Sequence, residues 1–298
     1  MKFSVLMAVY KKEKPQNLNK ALLSVYTGQS LKPNEIVLVK DGALTKELDN
    51  VIRKWEAKIP DVLKVVKLEK NGGLANALNE GLKKCSFEYV ARMDSDDISY
   101  PNRFEKEISF LKKNPDIDVL GGWITEFEKD EKEICCDRKV PISSKDILHF
   151  SKNRCPVNHV TVIYKKSKVL EVGGYDKFIG IEDYYLWAKM LLKGHKFFNL
   201  PEYLVHVRAG EGMLERRRGI SYAKKEFLLQ FEFYKMGFIS FPIFVKNTFI
   251  KFLIRLAPVI FIKKVYRSLR KENFRKVAID RNIYFRPKYR EILYGENR

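Results

Sequence analysis

The chain has 298 residues and a formal net charge of +20, and 45% of its residues are hydrophobic. This apolar content is sufficient for a packed core, so the composition excludes an intrinsically disordered protein. Four cysteines without a Cys-x-x-Cys spacing indicate reduced thiols rather than a disulfide framework, and four scattered histidines argue against zinc.

The first hundred residues alternate between predicted strands and predicted helices. Four short, mostly apolar runs predict strands at residues 3–9, 35–39, 63–68 and 89–93. Between them, apolar residues recur at helical spacing after Pro15, after Gly42 and from Leu74. Strands that alternate with helices of this length predict an α/β fold with a mostly parallel central sheet and right-handed crossovers.

The middle of the chain is less regular but continues this fold. Further strands are predicted at residues 118–127, 159–164, 196–200 and 203–207. A helix is predicted to begin at Glu182, continue to Leu192 and end at Gly194. We therefore predict a single α/β domain over residues 1–215.

The C-terminal region differs in both pattern and charge. Between Phe238 and Ile262, apolar side chains fall on one side of a predicted helix and basic side chains elsewhere. Residues 251–298 contain fourteen Lys or Arg and four Asp or Glu, so they carry 14 − 4 = +10. We predict that residues 216–298 form a helical, basic region that docks on an anionic membrane surface. No nucleic-acid partner is expected, because no nucleic-acid-binding motif accompanies the basic residues.

The N-terminus predicts neither a secretory signal nor an anchor. Its first apolar run ends at Lys11 and Lys12, too early for a signal-peptide core. No apolar stretch approaches the ~20 residues that span a bilayer. We expect a cytoplasmic protein held peripherally at the inner face of the cell membrane.

An acidic cluster follows the fourth predicted strand. The strand runs directly into Asp94-Ser95-Asp96-Asp97. Two carboxylates at a strand end can share a divalent cation that also binds a phosphate. The alternative interpretation is a turn or a helix cap, since Asp and Ser are common in both.

Polar or aromatic residues also follow the other strands of the first half. Tyr10, Asp41, Asn71 and Asp94 each come at or just after the end of a predicted strand. Ligands of parallel α/β sheets bind beyond the carboxyl ends of the strands. This convergence favours a binding site over a chance cluster of turn residues.

These motifs together resemble glycosyltransferase family 2, whose members have the GT-A fold and transfer a sugar from a nucleotide sugar. The resemblance covers roughly residues 1 to 210, and it is carried by residues 4–10, 35–42, 71–79, 92–97, 173–176 and 182–184. The pattern is similar to bacterial enzymes that build O-antigens and capsules, including galactosyltransferases that extend a lipid-linked sugar. It implies a donor half at about 1–115 and an acceptor half at about 116–215.

The resemblance implies a donor site around the acidic cluster. Asp96 and Asp94 are expected to bind Mn²⁺ or Mg²⁺ that bridges the nucleotide diphosphate. Asp41 is expected to contact the uracil or the ribose. The predicted nucleotide-binding residues are Ala8, Val9, Tyr10, Asp41, Asn71, Gly72, Arg92, Asp94, Ser95, Arg208 and Arg217.

The resemblance also implies an acceptor side. Of the adjacent pair Glu182 and Asp183, we expect Asp183 to be the base that deprotonates the acceptor hydroxyl, although the two roles could be exchanged. The predicted acceptor-binding residues are Trp123, Asn158, His159 and Tyr184. His206 is expected to be a plain strand histidine, and a role as a third metal ligand stays open.

The sequence therefore predicts an inverting, metal-dependent, non-processive glycosyltransferase. Relatives that polymerise processively carry a Gln-x-x-Arg-Trp sequence. This chain lacks it, so non-processive addition is expected. The expected donor is a UDP-sugar, first UDP-galactose, then UDP-glucose or a UDP-N-acetylhexosamine. The expected acceptor is a saccharide linked to a polyprenyl diphosphate. The alternatives are a metal-dependent sugar nucleotidyltransferase and a non-catalytic homologue that binds membrane or polysaccharide.

Overall fold

The computed structural model describes residues 1–128, 130–176, 180–209 and 218–257, and the structural statements below refer to these ranges. Nine strands form one sheet: β1 Phe3–Val9, β2 Glu35–Lys40, β3 Leu63–Lys67, β4 Tyr89–Asp94, β5 Ile98–Ser99, β6 Val119–Phe127, β7 Cys136–Arg138, β8 Ile163–Lys165 and β9 Phe197–Arg208. Helices pack around it: α1 Pro15–Val25, α2 Lys46–Lys58, α3 Leu74–Lys84, α4 Arg103–Lys113, α5 Ser144–Ser151, α6 Lys166–Glu171, α7 Glu182–Leu192, α8 Gly219–Lys235 and α9 Phe241–Leu256.

The sheet has the order β3-β2-β1-β4-β8-β6-β9-β5, with β7 paired to β6. Strands β1 to β4 are parallel, whereas β8 runs antiparallel to both β4 and β6. The predicted parallel sheet is therefore confirmed for the first half, and the second half is mixed. In the register, Val9 pairs with Lys40 and Ala8 with Asp94, so the strand ends lie level at one edge.

The central strands and first helices follow from local sequence. Every residue of β1 except Ala8 is buried, as expected for a parallel strand covered by helices on both faces. Pro15 occupies the first turn of α1, where its missing N–H costs no hydrogen bond. Thr45 caps α2 by accepting a hydrogen bond from the Leu48 N–H at 3.3 Å.

A separate apolar cluster joins the C-terminal helices to the α/β domain. Tyr184 and Ala188 of α7 pack against Leu229 and Phe233 of α8, with Phe238 from the turn between α8 and α9. Burial of a side chain as large as Phe233 contributes roughly 1.5–3 kcal/mol. The helices α8 and α9, called here the C-terminal hairpin, are therefore packed onto the helix that begins at Glu182.

Two predicted strands differ from the structure. Residues 159–164 do not form one strand: His159–Thr161 is a 3-10 turn, closed by the Thr161 N–H on the Asn158 carbonyl at 2.9 Å, and β8 begins only at Ile163. The strands predicted at 196–200 and 203–207 are one strand, β9. Its pairing with β6 shifts register on either side of Trp123, and this irregularity accommodates Pro201 within the strand.

In the described ranges, no helix combines the length and apolar composition required to cross a bilayer. The predicted amphipathic segment is described as far as residue 257. The basic residues that follow it lie outside the described residues.

Candidate active site

Three carboxylates meet where β4 ends. One oxygen each from Asp94, Asp96 and Asp97 lies within 4.8 Å of the others. Asp97 is buried, and its Oδ1 accepts the Arg208 N–H at 2.8 Å. Asp97 was not among the predicted ligands, although it directly follows the Asp-x-Asp motif.

The cluster carries more negative charge than its surroundings compensate. Burial raises the pKa of Asp96 to about 7, and the charges of Asp94 and Glu13 add to this effect. Burial and the neighbouring Asp96 and Asp94 raise the pKa of Asp97 well above its usual value. A hard divalent cation such as Mg²⁺ or Mn²⁺ prefers oxygen ligands of this kind and would relieve the repulsion, so these residues fit a metal site.

Arg92 lies beneath the cluster. Its Nη2 is 2.5 Å from Asp94 Oδ1, and its side chain is 3% exposed. Burial acts to lower the pKa of Arg92, but the charge and hydrogen bond of Asp94, together with Tyr175 and Asp97, raise it, and the net shift is upward. The Nε and Nη1 atoms are buried without a hydrogen-bond partner among the described residues. Buried N–H groups without a partner cost free energy, so these two groups are available to hydrogen-bond an oxygen of a bound ligand.

Arg208 reaches the same edge from β9. Its Nε donates to the Asp96 carbonyl at 3.3 Å, and its guanidinium lies 4.6 Å from the centre of the Phe127 ring. Glu131 lies 3.7 Å from its Nη2. The structure thus brings the predicted Arg208 to the carboxylate cluster, whereas the predicted Arg217 lies outside the described residues.

A fully buried ion pair supports β4 from below. Arg103 Nε lies 3.3 Å from both carboxylate oxygens of Glu107. Arg103 Nη2 donates to the Arg92 carbonyl at 2.9 Å. Because both side chains are inaccessible to solvent, this pair fixes the strand that carries Asp94.

The turn after β2 is bonded to the turn after β3. The Asp41 carboxylate accepts the N–H groups of Gly72 and Gly73 at 2.7 and 3.1 Å. Asn71 Nδ2 donates to the Asp41 carbonyl at 3.1 Å. The Gly72 N–H, which the sequence assigned to the nucleotide, therefore faces Asp41. Tyr10 lies at the same edge and is 41% exposed, with the ring surface that base stacking requires.

Glu182 and Asp183 form the first turn of α7 but differ in environment. Glu182 is buried, and its Oε2 accepts the Gly180 N–H at 2.6 Å. Burial, followed by the charge of Asp183, raises the pKa of Glu182. Asp183 is half-buried, and its Oδ1 accepts the Tyr184 N–H at 2.8 Å. The more accessible carboxylate of the pair is therefore Asp183.

A cysteine thiol lies beside Asp183. The Cys155 sulfur is 3.8 Å from Asp183 Oδ2. Burial raises the pKa of Cys155 to about 12, so the group is a neutral thiol that donates weakly to the carboxylate. Nothing in the local sequence around Cys155 predicts this contact.

His159 and Tyr175 form a hydrogen-bonded pair on which the charge of Arg92 acts. His159 Nε2 and the Tyr175 hydroxyl are 2.9 Å apart. Burial lowers the pKa of His159 well below its usual value, and the charge of Arg92 adds to this. Arg92 also acts against the rise in the pKa of Glu182, so the charge of its guanidinium acts on this carboxylate as well as on Asp94.

The other predicted acceptor residues have mainly structural contacts. Asn158 is buried and donates to the Gly122 carbonyl at 2.8 Å. Trp123 is half-buried, and its indole N–H donates to the Val140 carbonyl at 3.1 Å. Tyr184 requires a correction: its ring is 3% exposed within the cluster that holds the C-terminal hairpin, so it cannot line an acceptor site.

His206 has two internal partners, in accordance with a strand histidine. Its Nδ1 is 2.7 Å from Thr125 Oγ1, and its Nε2 is 2.9 Å from the Glu131 carbonyl. Burial lowers its pKa to about 4, so the ring is neutral. Both ring nitrogens are thus directed away from a ligand role at the carboxylates.

Glu13 is a further residue that the sequence analysis missed. Its Oε2 accepts the Ser95 hydroxyl at 3.4 Å, and its charge contributes to the raised pKa of Asp96. Glu13 lies in the loop after β1, where no motif distinguishes it from the neighbouring lysines.

Comparison with known proteins identifies relatives of the whole chain. A family model described as glycosyl transferase family 2 matches residues 4–171. The chain is 41% identical over 268 residues to an Escherichia coli protein named UDP-Gal:alpha-D-GlcNAc-diphosphoundecaprenol beta-1,3-galactosyltransferase, with coverage of 90% of this chain and 96% of that one. It is 40% identical over 272 residues to the amylovoran biosynthesis glycosyltransferase AmsE of Erwinia amylovora, with coverage of 90% and 99%.

A solved structure shares the fold. The mannosyltransferase PcManGT of Pyrobaculum calidifontis, in complex with GDP-Man and Mn²⁺, superposes with a TM-score of 0.60. The match covers 99% of this chain and 88% of that one at 16% sequence identity. This similarity confirms the predicted fold class.

Proposed function

Because the chain belongs to glycosyl transferase family 2 and is a glycosyltransferase of GT-A fold, we propose that it transfers a hexose from a UDP-sugar to a lipid-diphosphate-linked saccharide. The reaction would extend a bacterial surface polysaccharide. The observation that carries the proposal is the presence of two acidic groups that both interact electrostatically with Arg92: the carboxylates after β4 and the pair at the start of α7. The first suits a diphosphate with its cation, and the second suits a sugar hydroxyl.

The proposed donor is UDP-galactose. Its support is the printed activity of the E. coli relative, which covers nearly the whole chain. UDP-glucose and UDP-N-acetylhexosamines are the competing donors, because they differ from UDP-galactose in one hydroxyl configuration or one substituent.

The proposed metal site consists of Asp94 and Asp96, with Asp97 beside them. A bound Mn²⁺ or Mg²⁺ there supplies a positive charge for the diphosphate of the leaving group. Arg208 lies against the backbone of the same turn and contributes a further positive charge. The unpaired N–H groups of Arg92 can donate hydrogen bonds to oxygens of the sugar donor or of the acceptor.

The proposed base is Asp183. It accepts the proton of the acceptor hydroxyl while that oxygen forms a bond to the anomeric carbon of the donor. The bond from the anomeric carbon to the β-phosphate oxygen breaks, and the electron pair leaves with UDP. One direct displacement inverts the anomeric configuration. Glu182, held by the Gly180 N–H, would position the start of α7 rather than take the proton.

The proposed location is an anionic membrane surface, where a lipid-linked acceptor resides. Within the described residues the C-terminal hairpin exposes many apolar side chains, including Ile220, Leu228, Phe241, Phe249 and Leu253, each at least half exposed. Residues 218–257 also carry seven Lys or Arg and two Glu, which gives 7 − 2 = +5. Exposed apolar groups combined with excess positive charge are the two components of interfacial binding.

The decisive assay supplies purified protein with nucleotide sugars and α-GlcNAc diphosphate on an undecyl chain. We expect Mn²⁺-dependent transfer of one hexose from UDP-galactose, detected by mass spectrometry, with loss of transfer in excess chelator. A product with several added hexoses would contradict single addition. Consumption of no nucleotide sugar would contradict the proposed reaction. A parallel reaction with a sugar 1-phosphate and UTP tests the alternative, because a nucleotidyltransferase would form a nucleotide sugar there and release diphosphate.

A further inference from the structure

A group of cations lies on the Asp183 side of the site, where α9 meets the α/β domain. Arg154, Lys251 and Arg255, called here the cationic seam, come from two parts of the chain, and the charges of Arg154 and Arg255 both act on Lys251. Lys251 Nζ is 5.8 Å from the centre of the Tyr184 ring, and Tyr184 directly follows the proposed base. Arg154 directly precedes Cys155, whose sulfur contacts Asp183.

The seam has more positive charge than its neighbours compensate. Arg255 Nη2 is 2.6 Å from Glu226 Oε1, and Lys251 Nζ is 3.8 Å from Glu226 Oε2. Within the described ranges, Arg154 forms no ion pair with a carboxylate, so three cations face one acid. Burial lowers the pKa of Lys251, and the charges of Arg255 and Arg154 add to this. Lys251 and Arg255 are half-buried and Arg154 is exposed, so a multiply charged anion that reaches the seam from solvent would be stabilised by all three cations.

A purely structural role explains only part of this arrangement. Glu226 with Lys251 and Arg255 ties α9 to α8, which requires neither Arg154 nor its approach to Lys251. The Arg255 Nε is also buried without a hydrogen-bond partner among the described residues. The excess positive charge and the unpaired N–H of Arg255 both favour the binding of an anionic ligand at the seam.

The position of the seam identifies this anion. The donor diphosphate is assigned to the carboxylate cluster after β4, so a second anion beside Asp183 belongs to the acceptor. From the seam, α9 continues to exposed apolar residues such as Phe249 and Leu253. A ligand that fits has a sugar hydroxyl at Asp183, a diphosphate at the seam and a long apolar chain along the hairpin. We propose that Arg154, Lys251 and Arg255 bind the diphosphate of the lipid-linked acceptor; this inference rests on the proposed function.

The test compares two acceptors in neutral detergent. One is α-GlcNAc diphosphate on an undecyl chain, and the other is the uncharged undecyl α-GlcNAc glycoside. For Arg154→Gln and Lys251→Met we expect KM for the diphosphate acceptor to rise about 10- to 100-fold, since hydrogen bonds between charged groups have this strength. KM for UDP-galactose and kinetics with the neutral acceptor should stay at the wild-type values. Lys224→Met, at an exposed cation on α8, is the matched control and should change neither.

Three other outcomes would contradict this inference, and they distinguish its failure from failure of the proposed function. If the variants lose equal activity on both acceptors, the seam only supports the fold, and thermal unfolding at a lower temperature would accompany this loss. If the loss appears only on anionic vesicles, the seam binds lipid headgroups, and the assignment to the acceptor is wrong. If the wild type transfers galactose to neither acceptor, the proposed function fails together with this inference.

Discussion

The carboxylate cluster and the cationic seam carry opposite charge imbalances on the two sides of one site. At the cluster, three carboxylates (Asp94, Asp96 and Asp97) lie together, whereas at the seam Lys251 and Arg255 share Glu226 and Arg154 has no carboxylate partner among the described residues. The nearby Arg103–Glu107 pair is balanced internally. Under the proposed function, the uncompensated negative charge would receive a cation with the donor, and the uncompensated positive charge would receive an anion of the acceptor.

The largest expected effect on activity comes from removing a carboxylate from the cluster. Asp96→Ala should lower transfer by at least about 10³-fold, because the metal supplies several kcal/mol of charge stabilisation. Mn²⁺-dependent binding of UDP, measured by calorimetry, should be lost as well. Asp61→Ala, at an exposed aspartate, should leave both unchanged. Transfer within tenfold of wild type would contradict the metal assignment.

The second-largest expected effect concerns Asp183, the proposed base. Asp183→Asn should reduce kcat by roughly 10²–10⁴-fold, the usual contribution of a general base, while binding of UDP is retained. Glu182→Gln should cost less, because that carboxylate is buried and held by Gly180. The reverse ranking in single-turnover assays would make Glu182 the base, and loss of UDP binding would move Asp183 to the donor side.

The Arg103–Glu107 ion pair leads to a prediction about the free energy of unfolding rather than about activity. Glu107→Gln leaves Arg103 buried without a charged partner and should destabilise the fold by about 3 kcal/mol. The double variant Arg103→Met with Glu107→Leu should lose less than the sum of the single variants. Urea unfolding measures Glu107→Gln, the double variant and its two single variants Arg103→Met and Glu107→Leu, and additive losses would show that the two side chains are not coupled.

The smallest expected effect concerns the hairpin that extends from the seam. Phe249→Ser should weaken binding to vesicles containing anionic lipid about tenfold, since Phe249 is 64% exposed and an aromatic side chain of this size contributes roughly 1.5–3 kcal/mol on burial. Leu170→Ser, at a 45% exposed apolar residue outside the hairpin, is the control. Equal co-sedimentation of both variants with wild type would place the membrane contact elsewhere.

Much of the cluster side could be predicted from sequence because its information is local. Strand periodicity located β1 to β4, and Asp41 and Asp94 lie level because parallel strands end at the same edge. The errors came where local pattern and tertiary context disagree. Apolar residues 159–164 resemble a strand, but the Asn158 carbonyl closes a 3-10 turn, and Pro201 interrupts the pattern of β9 without ending it.

The seam side could not be predicted because its contacts join distant residues. Arg154 and Lys251 are almost a hundred positions apart, and each alone is an ordinary basic residue. Tyr184 was assigned to the acceptor by its neighbours in sequence, yet one helical step from Asp183 turns its ring into the core. Domain limits, metal identity and the role of each site residue stay predictions for the assays above.

The packing of Tyr184 against Phe233 has a consequence for the position of Asp183 relative to the membrane. The residue after the base is embedded in the same apolar cluster that fixes the hairpin. If the hairpin lies on the bilayer, Asp183 is held at a constant height above the lipid surface. An acceptor anchored in that bilayer then presents its terminal hydroxyl to Asp183 only when its saccharide has the matching length. The product, one sugar longer, extends past that height, so the enzyme would measure its substrate and release it after a single addition.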